Sequence, residues 1–305
     1  MSQRPLWERD GRDWPNRQAS RFVRAGALRW HVQQLGAGPV ALLAHGTGAA
    51  THSWRALAPL LARHFSVVAP DLPGHGFTDA PAPRRMSLPG MADALAELLR
   101  TLDVVPAVAV CSPVTGCRVG HSAGAAVLVR MALDGAIAPR ALVSLNGALL
   151  PLPGLQGRVY PPMARLLAAT PLVPRVFAWR ASERAAVERL IRSTGSALDP
   201  AGTDYYARLV RSPGHVAATL AMMAHWDLRP LARDLPRLAV PLTLVVGGSD
   251  RTVPPSEARR ARALLPSARI VTLPGLGHLA HEEKPEALAA LIVATARETG
   301  ALPPA

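Results

Sequence analysis

The chain has 305 residues, of which 49% are hydrophobic and 18% are charged, a balance typical of a globular protein with a large core. Its formal net charge is +13, and arginine carries almost all of it because Lys284 is the single lysine. The arginines are scattered, and no basic run alternates with aromatic residues, which argues against a nucleic-acid-binding protein. Two explanations of the charge stay open: the arginine bias of a GC-rich genome, or attraction to an anionic membrane surface or an acidic substrate.

The apolar segments and the cysteines indicate the compartment. No apolar run reaches the roughly 18 residues of a membrane span, and the first residues lack the apolar core of a signal peptide. Cys111 and Cys117 are too few for a disulfide framework, so we expect both to be reduced. These features predict a cytoplasmic protein, with contact at the periphery of a membrane left open.

The first part of the chain alternates short apolar strands with helical segments. Residues 1–19 are polar and basic and are predicted to form an arm that lies on the body. Strands at Ser20–Val23 and Leu28–Gln34 are predicted to form a hairpin around Ala25-Gly26. Two short buried strands are predicted at Val40–Ala44 and Ser66–Ala69. A helix is predicted at Ser53–Ala62, with Ser53 as its N-cap, and helical spacing of apolar residues predicts another at Ser87–Thr101.

The alternation is interrupted once. Residues 150–230 are rich in proline, arginine and leucine and predict short helices, for example Glu183–Ile191 and Val216–Met223. Around this stretch the predicted strands and helices are Ala141–Leu145, Leu242–Val246, Ser256–Leu265, Ala268–Leu273 and Pro285–Ala296. The pattern predicts an α/β fold with a mostly parallel sheet covered on both faces. Residues 20–149 and 231–305 would form its core, and residues 150–230 an inserted helical cap.

One pentapeptide has the pattern G-x-S-x-G, typical of a nucleophile elbow: Gly120-His121-Ser122-Ala123-Gly124. Such a serine lies on a sharp turn from a strand to a helix, and its neighbours must be small. The turn exposes the hydroxyl above the sheet and places the N–H of Ala123 at a helix N-terminus, where it can stabilise an oxyanion. A loop rich in glycine and serine could match the pattern by chance, so the other parts of a site are needed.

Those parts follow later strands. A serine hydroxyl needs a base within hydrogen-bond reach, and that base needs a group that orients it. Asp250 comes after the strand Leu242–Val246, and His278 comes after the strand Ala268–Leu273. Each alone could be structural, Asp250 as a turn cap and His278 as a loop histidine. All three at strand ends predict a triad of Ser122, His278 and Asp250.

The loop after Val40–Ala44 is predicted to supply the second oxyanion donor. Its sequence is His45-Gly46-Thr47-Gly48, and the N–H of Thr47 is the best candidate, because the glycines let the backbone turn toward a substrate. We interpret His45, His75 and His121 as structural, and His281 as a residue at the approach to a helix. The histidines lack the spacing of a metal site, and no nucleotide-binding motif is present, so we expect neither a metal nor a cofactor.

Together these motifs resemble the α/β-hydrolase superfamily, over about residues 20–298. The chain order of serine, aspartate and histidine is the order found there. Within it the chain is most similar to the magnesium-chelatase accessory proteins encoded with bacteriochlorophyll biosynthesis genes (the BchO family). The segments that carry this similarity are Leu42–Ala49, Thr51–Arg55, His121–Ala126, Leu145–Leu149 and Trp14–Arg17.

The resemblance implies a role beside magnesium insertion into protoporphyrin or at a nearby tetrapyrrole step. It implies Ser122, Asp250 and His278 as a catalytic triad, and Thr47 and Ala123 as oxyanion donors. Magnesium-chelatase subunits and a membrane surface are the partners it suggests. One departure matters: extra residues 111–119 separate the apolar run Val104–Val110 from the elbow. Either that run keeps the central strand position and the extra residues bulge, or the strand shifts to include Cys117–Val119.

The cap is predicted to roof the pocket and set specificity. Its mixture of apolar residues and arginine fits helices that face the core, or a lid that admits a flat apolar ligand or touches a membrane. Met222, Met223 and Trp226 could line the pocket or lie in the core. The leading hypothesis is a hydrolase of an ester or similar acyl bond of a small apolar substrate, such as a tetrapyrrole. The alternatives are a non-catalytic tetrapyrrole-binding accessory factor, a cofactor-free haloperoxidase or perhydrolase, and a generic carboxylesterase.

Overall fold

A computed structural model describes residues 4–104, 116–151, 167, 170, 172–180 and 183–304. Within this part of the chain the strands are β1 (Ser20–Ala25), β2 (Leu28–Leu35), β3 (Val40–Ala44), β4 (Ser66–Pro70), β5 (Gly116–His121), β6 (Ala141–Leu145), β7 (Leu242–Gly247) and β8 (Arg269–Leu273). They form one sheet in the order β1-β2-β4-β3-β5-β6-β7-β8. Strands β1 and β2 are antiparallel, as are β2 and β4, and all other neighbours are parallel. The predicted α/β fold with a mostly parallel sheet is confirmed.

Helices lie between the strands. In the described residues they are α1 (Trp7–Asp10), α2 (Leu57–Leu61), α3 (Leu88–Thr101), α4 (Ala123–Leu133), α5 (Val173–Arg180), α6 (Arg184–Ser193), α7 (Pro200–Val210), α8 (Pro213–His225), α9 (Arg229–Asp234), α10 (Pro255–Leu264), α11 (Ala280–Glu283) and α12 (Pro285–Glu298). Short 3₁₀ turns occur at Arg17–Ala19, Thr51–Trp54, Pro83–Met86 and Leu235–Arg237. No helix in this part of the chain combines the length and apolar character needed to cross a membrane.

The core lies on both faces of the sheet. Alternate residues of each buried strand point to opposite faces, so Leu42 belongs to one apolar cluster and Leu43 to the other. Helices α3, α4 and α10 cover the first face, and α2 and α12 cover the second. This double cover explains why the central strands are continuous apolar runs rather than alternating ones. Because β3 to β8 run parallel, their carboxyl ends lie at one edge of the sheet, where the candidate site is found.

The central strand position is filled by the segment directly before the elbow. β5 pairs with β3 through Val40↔Gly116 to Ala44↔Gly120, and with β6 on its other side. Of the two arrangements left open by the sequence, the shifted strand is therefore the observed one. Of the apolar run Val104–Val110, only Val104 belongs to the described part of the chain, because residues 105–115 lie outside it. The elbow thus follows its strand without an intervening bulge.

Arg118 is fully buried in this central strand, although a buried guanidinium is costly. Its Nη1 donates to the carbonyl of Val40 at 2.9 Å and to that of Cys117 at 3.3 Å. Burial lowers the pKa of Arg118 to about 10, so the side chain still carries its charge at neutral pH. Cys117 is a free, buried thiol, and Cys111 lies outside the described residues.

One predicted helix is wrong in its extent. Instead of a helix over Ser53–Ala62, the chain forms a 3₁₀ turn at Thr51–Trp54 and then α2. Ser53 does not cap a helix, because its hydroxyl donates to the carbonyl of Ala50 at 3.0 Å. The other predicted strands and helices lie within a few residues of the observed ones. Ser87, for example, caps α3 by accepting from the N–H of Gly90.

Helices α5 to α9 lie between β6 and β7, where the sequence predicts a cap over residues 150–230. Residues 152–166 lie outside the described part, and the proposed cap and core boundaries stay predictions. The described part of the amino-terminal arm packs on the body: Trp14 is buried, and its Nε1 donates to Thr51 Oγ1 at 2.9 Å. Arg208 of α7 pairs with Asp13 of the arm at 2.6 Å, so the arm also contacts the helices between β6 and β7.

Candidate active site

Ser122 lies at the turn between β5 and α4. Its φ of 50° and ψ of −117° are unusual for a residue with a side chain. Three hydrogen bonds hold the strained turn: Ser122 N–H donates to Leu145 O, and its carbonyl accepts from the N–H groups of Ala125 and Ala148. The side chain is half-buried. Strain of this kind persists where surrounding contacts enforce it, and it is typical of functional sites.

The two glycines of the elbow allow this close packing. A Cβ on Gly120 would collide with the backbone of Ala125. A Cβ on Gly124 would collide with the carbonyl groups of Ala44 and His45. Both positions therefore require glycine, as the G-x-S-x-G pattern predicts.

His278 and Asp250 meet at the same edge of the sheet. His278 Nδ1–H donates to Asp250 Oδ2 at 2.8 Å, and both residues are buried. The other carboxylate oxygen, Oδ1, accepts from the N–H groups of Thr252 at 2.8 Å and Val253 at 2.9 Å. These bonds fix the carboxylate, which in turn keeps the proton of the imidazole on Nδ1. With Nδ1 bonded to Asp250, Nε2 is the ring nitrogen available to accept a proton, as a general base requires.

The structure brings Ser122 to the loop that carries His278. His121, the residue before the serine, donates from Nε2 to the carbonyl of His278 at 2.9 Å. The centres of these two imidazole rings are 4.8 Å apart. Among the described residues, no hydrogen bond joins Ser122 Oγ to the ring of His278. Bonds between a nucleophile and its base often tighten only when substrate binds.

The loop after β3 presents Thr47 beside the serine. A Cβ on Gly46 would lie 3.0 Å from Ser122 Cβ, so Gly46 packs closely against the Ser122 side chain. His45 accepts from the N–H of Leu72 at Nε2 and donates from Nδ1 to Gly46 O at 2.8 Å. The carbonyl of Gly46 and the N–H of Thr47 belong to one trans peptide, so this N–H points away from His45. In the described chain, neither Thr47 N–H nor Ala123 N–H donates to a protein acceptor.

Comparison with known proteins identifies the family of this chain. The model of the alpha/beta hydrolase family matches residues 41–291. The chain belongs to the α/β-hydrolase family. It is also 40% identical to the magnesium-chelatase 30 kDa subunit of Rhodobacter capsulatus, over 92% of this chain and 95% of that protein. The resemblance expected from the sequence is thereby confirmed.

Solved structures show the same fold. An α/β-hydrolase-fold protein from Burkholderia ambifaria superposes with a TM-score of 0.74 at 24% identity, covering 90% of this chain and 97% of the other. A thermophilic esterase from Thermogutta terrifontis superposes with a TM-score of 0.71 at 24% identity, covering 92% and 98%. At this identity the likeness establishes the α/β-hydrolase fold and leaves the reaction to be argued from the site.

Asn146 is a part of this α/β-hydrolase site to which the sequence analysis gave no role. It lies directly after β6 with a φ of 46° and is buried. Its Nδ2 donates to the carbonyls of Gly277 at 3.0 Å and His278 at 2.7 Å, and its Oδ1 accepts from the N–H of Gly247 at 2.7 Å. Asn146 therefore ties the ends of β6 and β7 to the histidine loop. Its place at the carboxyl end of a buried parallel strand was the available signal.

His121 donates to the same carbonyl of His278 as Asn146 does. Burial, with the neighbouring rings of His281 and His278, holds the pKa of His121 well below its usual value. The neutral ring carries its proton on Nε2, where it donates. The interpretation of His121 as structural stays consistent with this geometry, because it orients the loop rather than pointing at the serine.

The three predicted pocket residues differ in their surroundings. Met222 is buried, and its sulfur accepts a hydrogen bond from Thr47 Oγ1 at 3.7 Å. Met223 is 43% exposed, and Trp226 is half-buried against the core cluster that includes Leu42. Of the three, Met222 therefore contacts the loop that carries Thr47. The pocket role of all three residues stays a prediction.

Asp71 is hydrogen-bonded to the end of the loop that carries Thr47. Its carboxylate is fully buried and accepts from His31 Nδ1 at 2.8 Å, from Thr51 N–H at 2.7 Å and from Phe77 N–H at 2.9 Å. Burial alone would raise the pKa of Asp71, but its interactions with His31 and His45 and the hydrogen bond from Phe77 N–H together hold this pKa well below its usual range. Since Thr51 ends the loop that carries Thr47, Asp71 links the hairpin to the site.

Buried histidines are numerous near the site, and they pack as rings rather than as metal ligands. His121 and His281 are 4.4 Å apart between ring centres, and Trp54 packs on His281 at 4.7 Å. Burial lowers the pKa of His281 to about 3, so this ring is neutral. Across the described residues, no three histidine, cysteine or carboxylate side chains are grouped as metal ligands.

Proposed function

We propose that this chain is a serine hydrolase that cleaves an ester or related acyl bond of an apolar substrate. The observation that carries the proposal is the 2.8 Å pair of His278 Nδ1 and Asp250 Oδ2, held at the edge of the sheet where the strained elbow presents Ser122. The elbow alone could be a structural turn. Its combination with an oriented base supports nucleophilic catalysis.

The reaction would proceed in two halves. Ser122 Oγ attacks the acyl carbon while His278 Nε2 takes its proton, and the N–H groups of Thr47 and Ala123 hold the oxyanion. The leaving alcohol receives that proton from His278, and an acyl-serine remains. Water then attacks the acyl carbon with His278 as base, which releases the acid and restores Ser122. Asp250 stabilises the imidazolium that forms in each half.

A fluorophosphonate probe tests this proposal without knowledge of the substrate. We expect it to label the wild-type protein at Ser122 and to leave Ser122→Ala unlabelled, because the alanine has no oxygen to phosphonylate. Mass spectrometry of the labelled peptide locates the modification. A folded wild-type protein that reacts no faster than Ser122→Ala would contradict the proposal.

We further propose that this hydrolase acts on or beside a tetrapyrrole during magnesium insertion, with magnesium-chelatase subunits as partners. Support comes from the identity of 40% to a relative named as a magnesium-chelatase subunit. A second candidate function follows from the same relative: an accessory factor that binds the tetrapyrrole and does not need catalysis. The missing hydrogen bond between Ser122 and His278 in the described chain favours this candidate.

Two measurements separate these candidates. Titration with protoporphyrin, followed by its absorbance, reports binding by the wild-type protein. Restoration of pigment synthesis by Ser122→Ala in a deletion strain would favour the accessory factor. Failure of a folded Ser122→Ala protein, with porphyrin binding retained, would favour the hydrolase.

We propose an anionic lipid surface as another partner. Leu172, Val176 and Trp179 are 62%, 55% and 71% exposed. Leu172 directly precedes α5, and the spacings of four and three residues place the three side chains on one side of this segment. The sequence of residues 150–182 contains four arginines and no acidic residue. An apolar helix face with tryptophan, within a basic segment, suits the interface of an anionic membrane.

Vesicle sedimentation tests this contact. We expect the protein to sediment with vesicles of phosphatidylglycerol and phosphatidylcholine, but not with phosphatidylcholine alone. Trp179→Ser should release it, while Leu190→Ser, which removes a 52% exposed leucine from α6, should not. Equal sedimentation of wild type and Trp179→Ser with the anionic vesicles would rule this surface out. So would a dimer, detected by light scattering, in which these three apolar side chains are buried.

A further inference from the structure

A turn between α6 and α7, residues 194–197, lies between the two loops that carry the proposed base and its carboxylate. The carbonyl of Thr194 accepts from the N–H of Arg251, directly after Asp250, at 3.1 Å. The same carbonyl accepts from the N–H of His278 at 3.4 Å. One main-chain oxygen of the segment between β6 and β7 therefore joins both loops.

Ser196 and Glu283 extend this junction along the histidine loop. Ser196 is buried; its Oγ accepts from the N–H of Leu279 at 2.8 Å and donates to Glu283 Oε2 at 3.0 Å. Glu283 Oε2 also accepts from the N–H of Gly277 at 2.8 Å, and Oε1 accepts from the N–H of Ala197 at 3.1 Å. The three consecutive N–H groups of residues 277–279 thus all donate to the turn or to Glu283.

The 194–197 turn also packs tightly against the loops that carry Asp250 and His278. A Cβ on Gly195 would collide with the carbonyl of Ser249, and a Cβ on Gly277 would collide with Gly195 and with Ser196 Oγ. The turn is therefore in direct contact with both loops, and small displacements of the turn must move them.

The sheet and the turn hold different atoms of His278. The elbow and β6 hold its carbonyl through His121 and Asn146, and Asp250 holds its ring. The N–H side of the loop, by contrast, is held by the turn and Glu283. The direction of the imidazole depends on both sides, because the backbone on each side of His278 sets where its side chain begins.

We propose that Ser196 and Glu283 are positioning residues for His278, so that the base is aligned with Ser122 only while the 194–197 turn is seated. The proposal rests on the proposed hydrolase function for its catalytic consequence. Neither residue touches the reacting atoms; both act through the main chain of residues 277–279. The position of the helices between β6 and β7 would therefore affect how well His278 is aligned with Ser122.

Ser196→Ala removes one hydroxyl and is the sharpest test. We expect the rate of fluorophosphonate labelling at Ser122 to fall roughly ten- to a hundredfold, since displacements of about 1 Å cost on the order of a hundredfold. Hydrogen exchange of a peptide that covers residues 277–279 should become faster, while a peptide from α4 should not change. Glu283→Gln should act in the same direction. The double variant should lose less than the product of the two single effects, because the residues share a hydrogen bond.

Arg208→Gln is the matched control. It removes the ion pair between α7 and the arm and contacts neither catalytic loop, so labelling and exchange at residues 277–279 should stay at wild-type values. Circular dichroism and the thermal midpoint check that each variant is folded.

The outcomes separate this proposal from the proposed function. Two results in Ser196→Ala would overturn the positioning role and leave the proposed hydrolase untouched. One is faster hydrogen exchange at residues 277–279 with a wild-type rate of labelling at Ser122, and the other is unchanged hydrogen exchange. A wild-type protein that is never labelled would remove the hydrolase, and with it the catalytic half of this proposal. The exchange measurement would still decide whether Ser196 holds the histidine loop.

Discussion

Asp250→Asn is expected to slow fluorophosphonate modification of Ser122 by about 10⁴-fold, the size of effect found when a triad aspartate becomes asparagine. The reason is the direction of one hydrogen bond. The asparagine oxygen would stay with the N–H groups of Thr252 and Val253, which leaves its NH₂ group facing His278 Nδ1. Nδ1 must then accept, so the proton moves to Nε2. An imidazole protonated at Nε2 cannot take the proton of the serine.

The measurement is the second-order rate of labelling for wild type, Asp250→Asn and Asp134→Asn. Asp134 lies at the end of α4 and pairs with Arg130 at the surface, so its replacement changes the charge equally without touching the site. We expect Asp134→Asn to react like wild type. If Asp250→Asn also reacts within tenfold of wild type while folded, Asp250 does not orient the base.

Asp71→Asn is expected to lower the free energy of unfolding by about 3 kcal/mol, the order found when one partner of a buried pair is removed. The amide keeps one acceptor oxygen for the three donors that now converge on the carboxylate, His31 Nδ1 and the N–H groups of Thr51 and Phe77. In a chain of this size the thermal midpoint should fall by about 5 °C. Labelling of Ser122 should also slow, because Thr51 ends the loop that carries Thr47.

The same variant should change how stability depends on pH. The pKa of Asp71 is held below the value of about 4 that it has in the unfolded chain. The folded state therefore gains stability from the ionised carboxylate above about pH 4 and loses that gain as the pH falls further. The difference between wild type and Asp71→Asn should be largest near neutral pH and shrink in acid.

Asp79→Asn is the control for both effects. Asp79 is exposed and accepts from the N–H of Arg29 at 2.9 Å, so the same chemical change there should cost less than about 1 kcal/mol. Chemical denaturation from pH 3 to pH 8 gives the comparison. Equal stability losses at positions 71 and 79 would show that the hydrogen bonds of Asp71 do not have this stabilising role.

Much of the fold could be predicted from the sequence because its signals are local. The buried strands β3, β4, β6 and β7 are short apolar runs, and a period of two or 3.6 residues separates strands from helices. The elbow is likewise local, since five consecutive residues specify its turn. The helix predicted from Ser53 failed for a local reason as well: the serine hydroxyl found the carbonyl of Ala50 and formed a turn.

The central strand was not decided by local pattern. Val104–Val110 has the more strand-like composition, whereas β5 contains two glycines and a buried arginine. Within β5, Gly116 lies close to the Val40 carbonyl, and Arg118 donates to that same carbonyl. Both facts depend on a strand that is more than seventy residues away in the chain.

The sequence by itself determined the fold class, the elbow at Ser122 and the order of serine, aspartate and histidine at strand ends, since each strand and the residue that follows it are recognised from a short segment of the chain. The tertiary structure decided that Asp250 pairs with His278, that Asn146 and His121 share the His278 carbonyl, and that the turn at residues 194–197 joins both loops. Hydrogen bonds between residues distant in the chain depend on how separate loops pack against one another at the edge of the sheet. The periodicity of a sequence describes one segment at a time and carries no information about that packing.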